Sequence, residues 1–423
     1  MQLVQRIANF FHNEPSTKRP KPGQLIHRRE EDAWRDYPAD GLTPARLSAI
    51  LKAADDGALS EPMQLYEQME EKDAHLFSIA NTRRLALTGL EWEMVPASDL
   101  RPGLDVALAA EAADYCAQVL GSIDALDDAL QHLSLALGRN IAVAEVVWDF
   151  KNGSHTIVDL APIEFTRLVF DGLDQVRILT DDEPLDGITL PANKFVVHTP
   201  HATTGHASRG GLLRVTALAF LGKNYALKEW LTFAEIFGMP IRVARYDPSA
   251  SVEEKRELLD MLTSMGSEAA GVFSKAVELE IIEANRGTPN PPYDRLVNFL
   301  NREMTKAWLG QTLTVDMADQ SGSKAAAEVH DRVRKDILLD DIRKEGRTVR
   351  RDILRPLAQF KFGLEVPVPF FRRKPEEPRD LRELADVLSV AVNDLGIQAP
   401  TRWVHDTLGI PQATNGEATV GRS

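Results

Sequence analysis

Hydrophobic and polar positions follow helical spacing over most of this chain, and the longest uninterrupted case lies within RGGLLRVTALAFLGKNYALKEWLTFAEIFGMPIRVARYD, residues 209–247. The spacing predicts a helix over Leu212–Phe237, roughly 39 Å long, closed by Gly238-Met239-Pro240 and turned into a strand. At 100° per residue, Arg214, Asn224, Lys228, Glu229, Thr232 and Glu235 fall in one stripe about 140° wide, with Lys223 alone opposite. The rest of the circumference is apolar and needs cover, from the interior of a large domain or from neighbouring copies of the same chain. A membrane is not the cover, because Lys223, Lys228, Glu229 and Glu235 interrupt every window of about 20 residues.

Around this helix the pattern changes several times. MQLVQRIANFFHN places Leu3, Val4, Ile7, Phe10 and Phe11 at helical spacing, and residues 14–42, rich in Pro and charge, read as an extended arm. Thr43-Pro44 opens a helix that runs to about Ala54. Residues 62–90 predict one long helix or a pair, followed by a strand, Glu91–Val95, and helices near 104–120 and 123–137. Short strands then come at Ile141–Phe150, His155–Leu160, Phe165–Phe170, Val176–Thr180 and Lys194–His198, separated by Asn-Gly and Asp-Gly turns. These segments predict an α+β domain with a meandering sheet. Beyond the long helix, Met239–Asn290 reads as a small α/β insertion, with strand Ile241–Tyr246, a helix opened by the capping box Ser251-Val252-Glu253-Glu254, and strands near 271–273 and 277–284. A second helix, Tyr293–Leu309, returns from it; GQTLTVDMADQSGS, 310–323, is polar and irregular. The last long pattern, Lys324 to about Phe360, changes its apolar face near Leu338–Ile342, which predicts a bend or an exchange of packing partner.

Net charge is −14, from 49 Lys plus Arg against 63 Asp plus Glu. An overall acidic balance is opposite to that of proteins that neutralise phosphates over their whole surface. It suits a surface past which a polyanion slides. The segment 324–355 runs against this trend, with ten basic residues to seven acidic. The single Cys116 sits in an apolar run and reads as helix packing in a reducing compartment. The N-terminus has no secretory signal pattern.

Chemistry is sparse. Phosphate loops, nucleophile elbows and zinc motifs are missing from the sequence; Ser321-Gly322-Ser323-Lys324 has only the end of a phosphate loop. His198, His201 and His206 could gather on a metal but lack a suitably spaced carboxylate, and Asp181-Asp182-Glu183, between two strands before Pro184, reads as a solvated turn rather than a two-metal site. The tryptophans lie on separate elements, as core or interface anchors do. No enzyme, no metal and no cofactor are expected.

The order of elements, together with the segments 209–245 (RGGLL…KEWLTFAEIFGMPIRVAR) and 308–346 (WLGQTLTVDMADQSGSKAAAEVHDRVRKDILLDDIRKEG), resembles the Mu-like bacteriophage portal family. The resemblance covers most of residues 60–362. It implies a ring of about twelve subunits at one capsid vertex, through which double-stranded DNA is packaged and ejected. It also implies partners: the large terminase, the major capsid and scaffold proteins, and head completion or adaptor proteins. The location implied is the virion, with assembly in the host cytoplasm and no membrane. Carried onto this chain, 1–42 is an N-terminal helix and arm, 43–209 the wing, 210–238 a stem helix, 239–291 the clip, 292–310 a second stem helix, 311–323 the tunnel loop, 324–378 a long wing helix and return, and 379–423 a reduced crown and tail. The tunnel loop is expected to present Gln311, Thr312, Thr314, Asp316, Gln320, Ser321, Ser323 and Lys324 to DNA. The stripe Arg214, Asn224, Lys228, Thr232 and Glu235 is expected to face the channel or an adjoining subunit. Phe220, Trp230, Phe233, Phe237 and Trp308 are expected at subunit interfaces. Two other readings stay open from the residues: a capsid-associated adaptor that never touches DNA, and a metal-dependent nuclease using His198, His201 and Asp181.

Overall fold

A computed structural model describes residues 24–26, 39–151, 153–201, 204, 206–238, 241–245, 251–264, 278–282, 292–312, 324–375 and 381–412. Residues 1–373 and 374–423 form two separate compact units.

The larger unit begins with three helices, α1 (Pro44–Asp55), α2 (Ser60–Lys72) and α3 (Ala74–Thr88). Thr43 caps the first as expected, its Oγ1 accepting from the Arg46 N–H. The predicted 62–90 helix is a pair, broken at Asp73, whose carboxylate accepts the free N–H groups of His75 and Leu76 at the start of α3. Strand β1 (Trp92–Val95) and helices α4 (Val106–Gly121), α5 (Leu126–Ser134) and α6 (Ala136–Arg139) follow. Cys116 is fully buried in α4, and burial pushes its thiol pKa up to about 12.

The expected meander resolves into two antiparallel three-stranded sheets. Strands β2 (Ala142–Lys151), β3 (Ser154–Pro162) and β7 (Phe195–His198) make one, with β2 central. Strands β4 (Leu168–Phe170), β5 (Val176–Ile178) and β6 (Ile188–Thr189) make the other; β6, two residues long, has too little pattern to read from sequence. A 3₁₀ turn at Phe165–Arg167 shortens the strand expected from Phe165 and diverts the chain between sheets.

Central β2 is buried on both faces over Ala142–Val147. Ala142, Ala144 and Val146 enter one core with α4, α5 and the end of the long C-terminal helix, while Val143 enters the other with α2, α3 and the hairpin described below. A register irregularity between Val147 and Trp148 interrupts the β2–β3 pairing. Glu145 shares the Val143 side, buried, paired with Lys194 at 3.0 Å. It also accepts the backbone N–H groups of Leu25 and of Ile26, the latter at 2.8 Å, which fastens part of the N-terminal arm to the sheet.

Helix α7 (Leu212–Gly238) leads to β8 (Ile241–Arg245), α8 (Val252–Ser264) and β9 (Glu278–Ile282), then α9 (Pro292–Leu309) returns. β8 and β9 pair antiparallel, Ile241 opposite Ile282. The capping box forms reciprocally: Ser251 N–H donates to Glu254 Oε2 at 2.8 Å and Glu254 N–H to Ser251 Oγ at 3.1 Å. The strand expected near 271–273 lies outside the described residues.

The final long helix runs as α10 (Lys324–Val349), a π turn (Arg350–Leu354) and α11 (Arg355–Phe362). Its irregularity therefore lies C-terminal to the expected Leu338–Ile342 change of face. Pro356 dictates the position, because it has no N–H to give the Asp352 carbonyl and its ring excludes an ordinary helical turn there. The exchange of partner is also present: Val333 and Ile337 abut Gly310 at the end of α9, whereas Val349, Ile353 and Leu357 enter the sheet core. Strand β10 (Phe370–Arg373) closes the unit by pairing with β1, Trp92 opposite Arg373. In the smaller unit, α12 (Leu381–Asn393) and α13 (Thr401–Leu408) are joined through Asp394–Pro400, and α13 ends at the left-handed Gly409.

Candidate functional site: the helical hairpin

The α7/α9 hairpin is anchored at its base by glycines that permit close approach. A Cβ on Gly211 would lie 2.4 Å from the Gly138 carbonyl oxygen, and one on Gly138 2.9 Å from Leu213 Cδ1 and 3.1 Å from the Trp308 ring. The loop entering α7 is held by Asn140, wholly buried and left-handed at φ 60°. Its side-chain amide donates to the carbonyls of His201 and Ala207, and its Oδ1 accepts from the His201 N–H.

Charged and polar contacts then fix the hairpin to α1, α3 and α10. Lys223 Nζ lies 2.7 Å from Asp73 Oδ1, both side chains less than a tenth exposed. Arg83 holds Asp341 in a bidentate pair at 2.9 and 3.0 Å and donates through Nη1 to the Trp308 carbonyl at 2.9 Å. His75 Nε2 lies 2.8 Å from Thr305 Oγ1 on α9. Arg214 pairs with Asp55 at 2.9 Å.

The structure separates the sequence-predicted residues into groups. Phe220 and Trp308 are at most 1% exposed and belong to the protomer's own core, so neither touches a neighbouring subunit. Gln311 is likewise buried, at 3%, which removes it from the surface of any loop; Thr312 is half-buried. Arg214 is engaged with α1 of its own chain, whereas Asn224, Lys228 and Thr232 are exposed. Trp230 is half-buried, and Phe233 is exposed with its ring centroid 6.2 Å from that of Tyr293. Helix α7 includes Glu235 and Phe237 and α10 opens at Lys324, but these three side chains are outside the described residues, as are residues 313–323 with Thr314, Asp316, Gln320, Ser321 and Ser323.

Among the described residues, the fully buried positions of α7 thus lie between Leu213 and Ala226. Leu213, Ala217, Phe220, Leu221 and Ala226 are buried, yet Val215, Leu218 and Tyr225 on the opposite side are 64, 70 and 42% exposed. Farther along, Leu231 is 72% exposed, and on α9 Leu296 and Phe299 are 44 and 57% exposed. Sequence reasoning missed the partners that hold this geometry: Asp73, Arg83, Asn140 and Asp341. Lys223, the one charge off the polar stripe, was the visible sign of a buried pair.

The histidine cluster does not assemble. His198, on β7, turns its Nδ1 to Thr348 Oγ1 at 2.9 Å, and burial, reinforced by Arg351, holds its pKa down to about 4. His201 is lowered by burial and by Lys344. His206 lies against Asp174 and the Phe170 ring instead, and among the described residues no group of three or more His, Cys, Asp or Glu could hold a metal.

Solved structures share this architecture. A chain of the virion of a native gene transfer agent particle aligns with a TM-score of 0.55 at 12% identity, covering 87% of this chain and all of that one. A chain from the neck of an empty gene transfer agent particle gives 0.55 at 10%, covering 88% and 95%. Closer in sequence are the Mu-like prophage FluMu protein gp29 of Haemophilus influenzae, 30% identical over 92% of this chain and 75% of its own length, and the portal protein of Escherichia phage Mu, 29% identical over 96% and 78%. The family described as the portal protein of Mu bacteriophage matches residues 63–410, and the chain belongs to that family: an α+β portal protein, a structural and non-enzymatic component of the phage particle.

Proposed function

We propose that copies of this chain close into a ring, of about twelve subunits, at one capsid vertex, and that the ring conducts double-stranded DNA during packaging and ejection. The observation that carries this reading is the uncovered apolar surface of the hairpin: Val215, Leu218, Tyr225 and Leu231 on one helix, Leu296 and Phe299 on the other. In a ring each hairpin stands between two others, so both sides are buried and the hydrophilic edge is left for the bore. Asn224, Lys228, Thr232 and Glu235 form that edge, without Arg214. Residues 239–291 then act as the clip that docks the large terminase and, afterwards, head completion or adaptor proteins. Residues 312–323, leading to Lys324, act as the tunnel loop beside DNA. The wing, 43–209 and 324–378, meets the major capsid and scaffold proteins, and assembly takes place in the host cytoplasm. The test is assembly state: Leu218→Glu with Leu231→Glu is expected to abolish rings on end-on electron micrographs while leaving a folded protomer. Rings formed by that variant as readily as by the parent would refute the packing.

A further inference from the structure

Away from the hairpin, the long helix interrupted by the π turn before Pro356 carries a second feature that a conduit wall does not explain. Arg343, Arg347, Arg351 and Arg355 recur every four residues from the end of α10 through the π turn to the start of α11, about 6 Å of rise per step on a regular helix. They line one side of a groove of about 620 Å³, closed by Arg350, Phe370, Phe371, Arg372 and Arg373. Like charges at this spacing repel one another and weaken a helix unless something neutralises them.

Intrachain neutralisation is incomplete. Arg373 is buried in a bidentate pair with Glu345 at 2.8 and 2.9 Å, and Arg351 is paired with Asp352. Arg350 lies over the Phe370 ring at 4.1 Å and donates to the carbonyls of Val368 and Pro369. Burial and the charges of Arg101 and Arg355 lower its pKa. Asp340 is taken by Lys344 and Asp341 by Arg83. Glu93 stands opposite Arg372 across the β1–β10 pair. Arg343, Arg347, Arg355 and Arg372 are exposed and, among the described residues, make no ion pair.

We infer that this arginine groove is a binding surface for the phosphate backbone of duplex DNA, distinct from the bore. Guanidinium groups match phosphate oxygens in a planar, two-pronged geometry. A row at helical pitch engages successive charges along a strand better than it engages one isolated anion. Phe371 is buried and Phe370 is occupied by Arg350 and Arg101, so no aromatic surface is left for base stacking, and the contact is independent of sequence. The chain's net charge of −14 confines such binding to a local groove.

The proposal goes beyond the ring reading and stands whether or not a ring forms. Its test is anisotropy of a short labelled duplex titrated with the full chain at several salt concentrations, with particle mass recorded on the same samples. Four phosphate contacts give a slope of log affinity on log salt of about −3.6, a roughly hundredfold loss between about 50 and 200 mM. R347E with R355E is expected to halve that slope and weaken binding at least tenfold at low salt, whereas R347K with R355K keeps the slope. Hydrogen exchange on the unmodified protein supplies a measurement that needs no variant: duplex should protect peptides spanning 339–355. Failure of the parent to bind, an unchanged slope in the charge-reversed variant, or no protection of 339–355 would overturn the proposal. Binding of polyglutamate but not duplex would also overturn it, and would assign the groove to an acidic protein. A chain that stays monomeric yet binds as stated would refute the ring and leave the groove standing.

Discussion

Replacing Asp73 by Ala removes two supports at once, because a single carboxylate both caps α3 and neutralises Lys223 on α7. Loss of the cap costs about 1 kcal/mol, and leaving the Lys223 ammonium buried without a partner costs about 3–5 kcal/mol. The sum, about 4–6 kcal/mol, is comparable to the stability of many whole domains. Asp73→Ser keeps an oxygen for the cap and isolates the charge; Lys223→Met isolates the carboxylate, which still accepts the His75 and Leu76 N–H groups. Each is expected to cost about 3 kcal/mol, and the double variant about 1 kcal/mol or less, because a buried pair replaced as a unit leaves no orphan charge. Hydrogen exchange of peptides covering α3 and the first half of α7 is the assay, since about 3 kcal/mol of local opening appears as a roughly hundredfold loss of protection. Single variants that change protection less than threefold, or a double variant as damaged as the sum of the singles, would refute the pair as the clamp between α3 and the hairpin.

Three further outcomes follow from the same geometry. Gly211→Ala forces a Cβ against backbone carbonyl Gly138 O, which no rotamer change relieves, and should lower the melting temperature sharply, whereas Gly363→Ala, strained only by its φ of 93° with open space around it, should lower it less. Stability should fall between about pH 6.5 and pH 4. His132 and His198 are both held near pKa 4 by burial, so the unfolded chain takes up protons in that window before the folded one does. Each contributes up to about 3 kcal/mol that is present above pH 6.5 and lost as pH drops, and His132→Gln with His198→Gln should flatten the melting-temperature profile there. Ser251→Ala should cost the insertion helix about 1 kcal/mol, seen as faster exchange at its first turn with no change in the hairpin.

Much of this architecture is legible in the sequence because the elements are long and their signals local. Thr43-Pro44, the Ser251–Glu254 box and the Leu212–Gly238 helix each announce themselves within a few residues. What escapes is set by contacts distant along the chain. The split of the sheet depends on β7 returning beside β2, fifty residues on, and the β1–β10 pair joins strands nearly the full unit apart. Two of the expected interface residues fall in the core for a related reason. Periodicity says that a helix face is apolar, not whose atoms cover it, so Phe220 and Trp308 looked like subunit contacts although they fill the protomer's own core. The uncovered positions, Val215, Leu218 and Leu231, carry the same apolar pattern, and only the three-dimensional packing separates the two groups. Gln311 fails differently: a polar residue beside Gly310 reads as loop, yet it is buried.

The uncovered surface of the hairpin makes the ring the claim most exposed to experiment. Particle mass, measured with end-on electron micrographs of the purified chain, tests it directly. Closed rings whose hairpin peptides around Leu218 and Leu231 are protected from hydrogen exchange are the expected result. A protein that remains monomeric in every condition, with those peptides already protected, would contradict it.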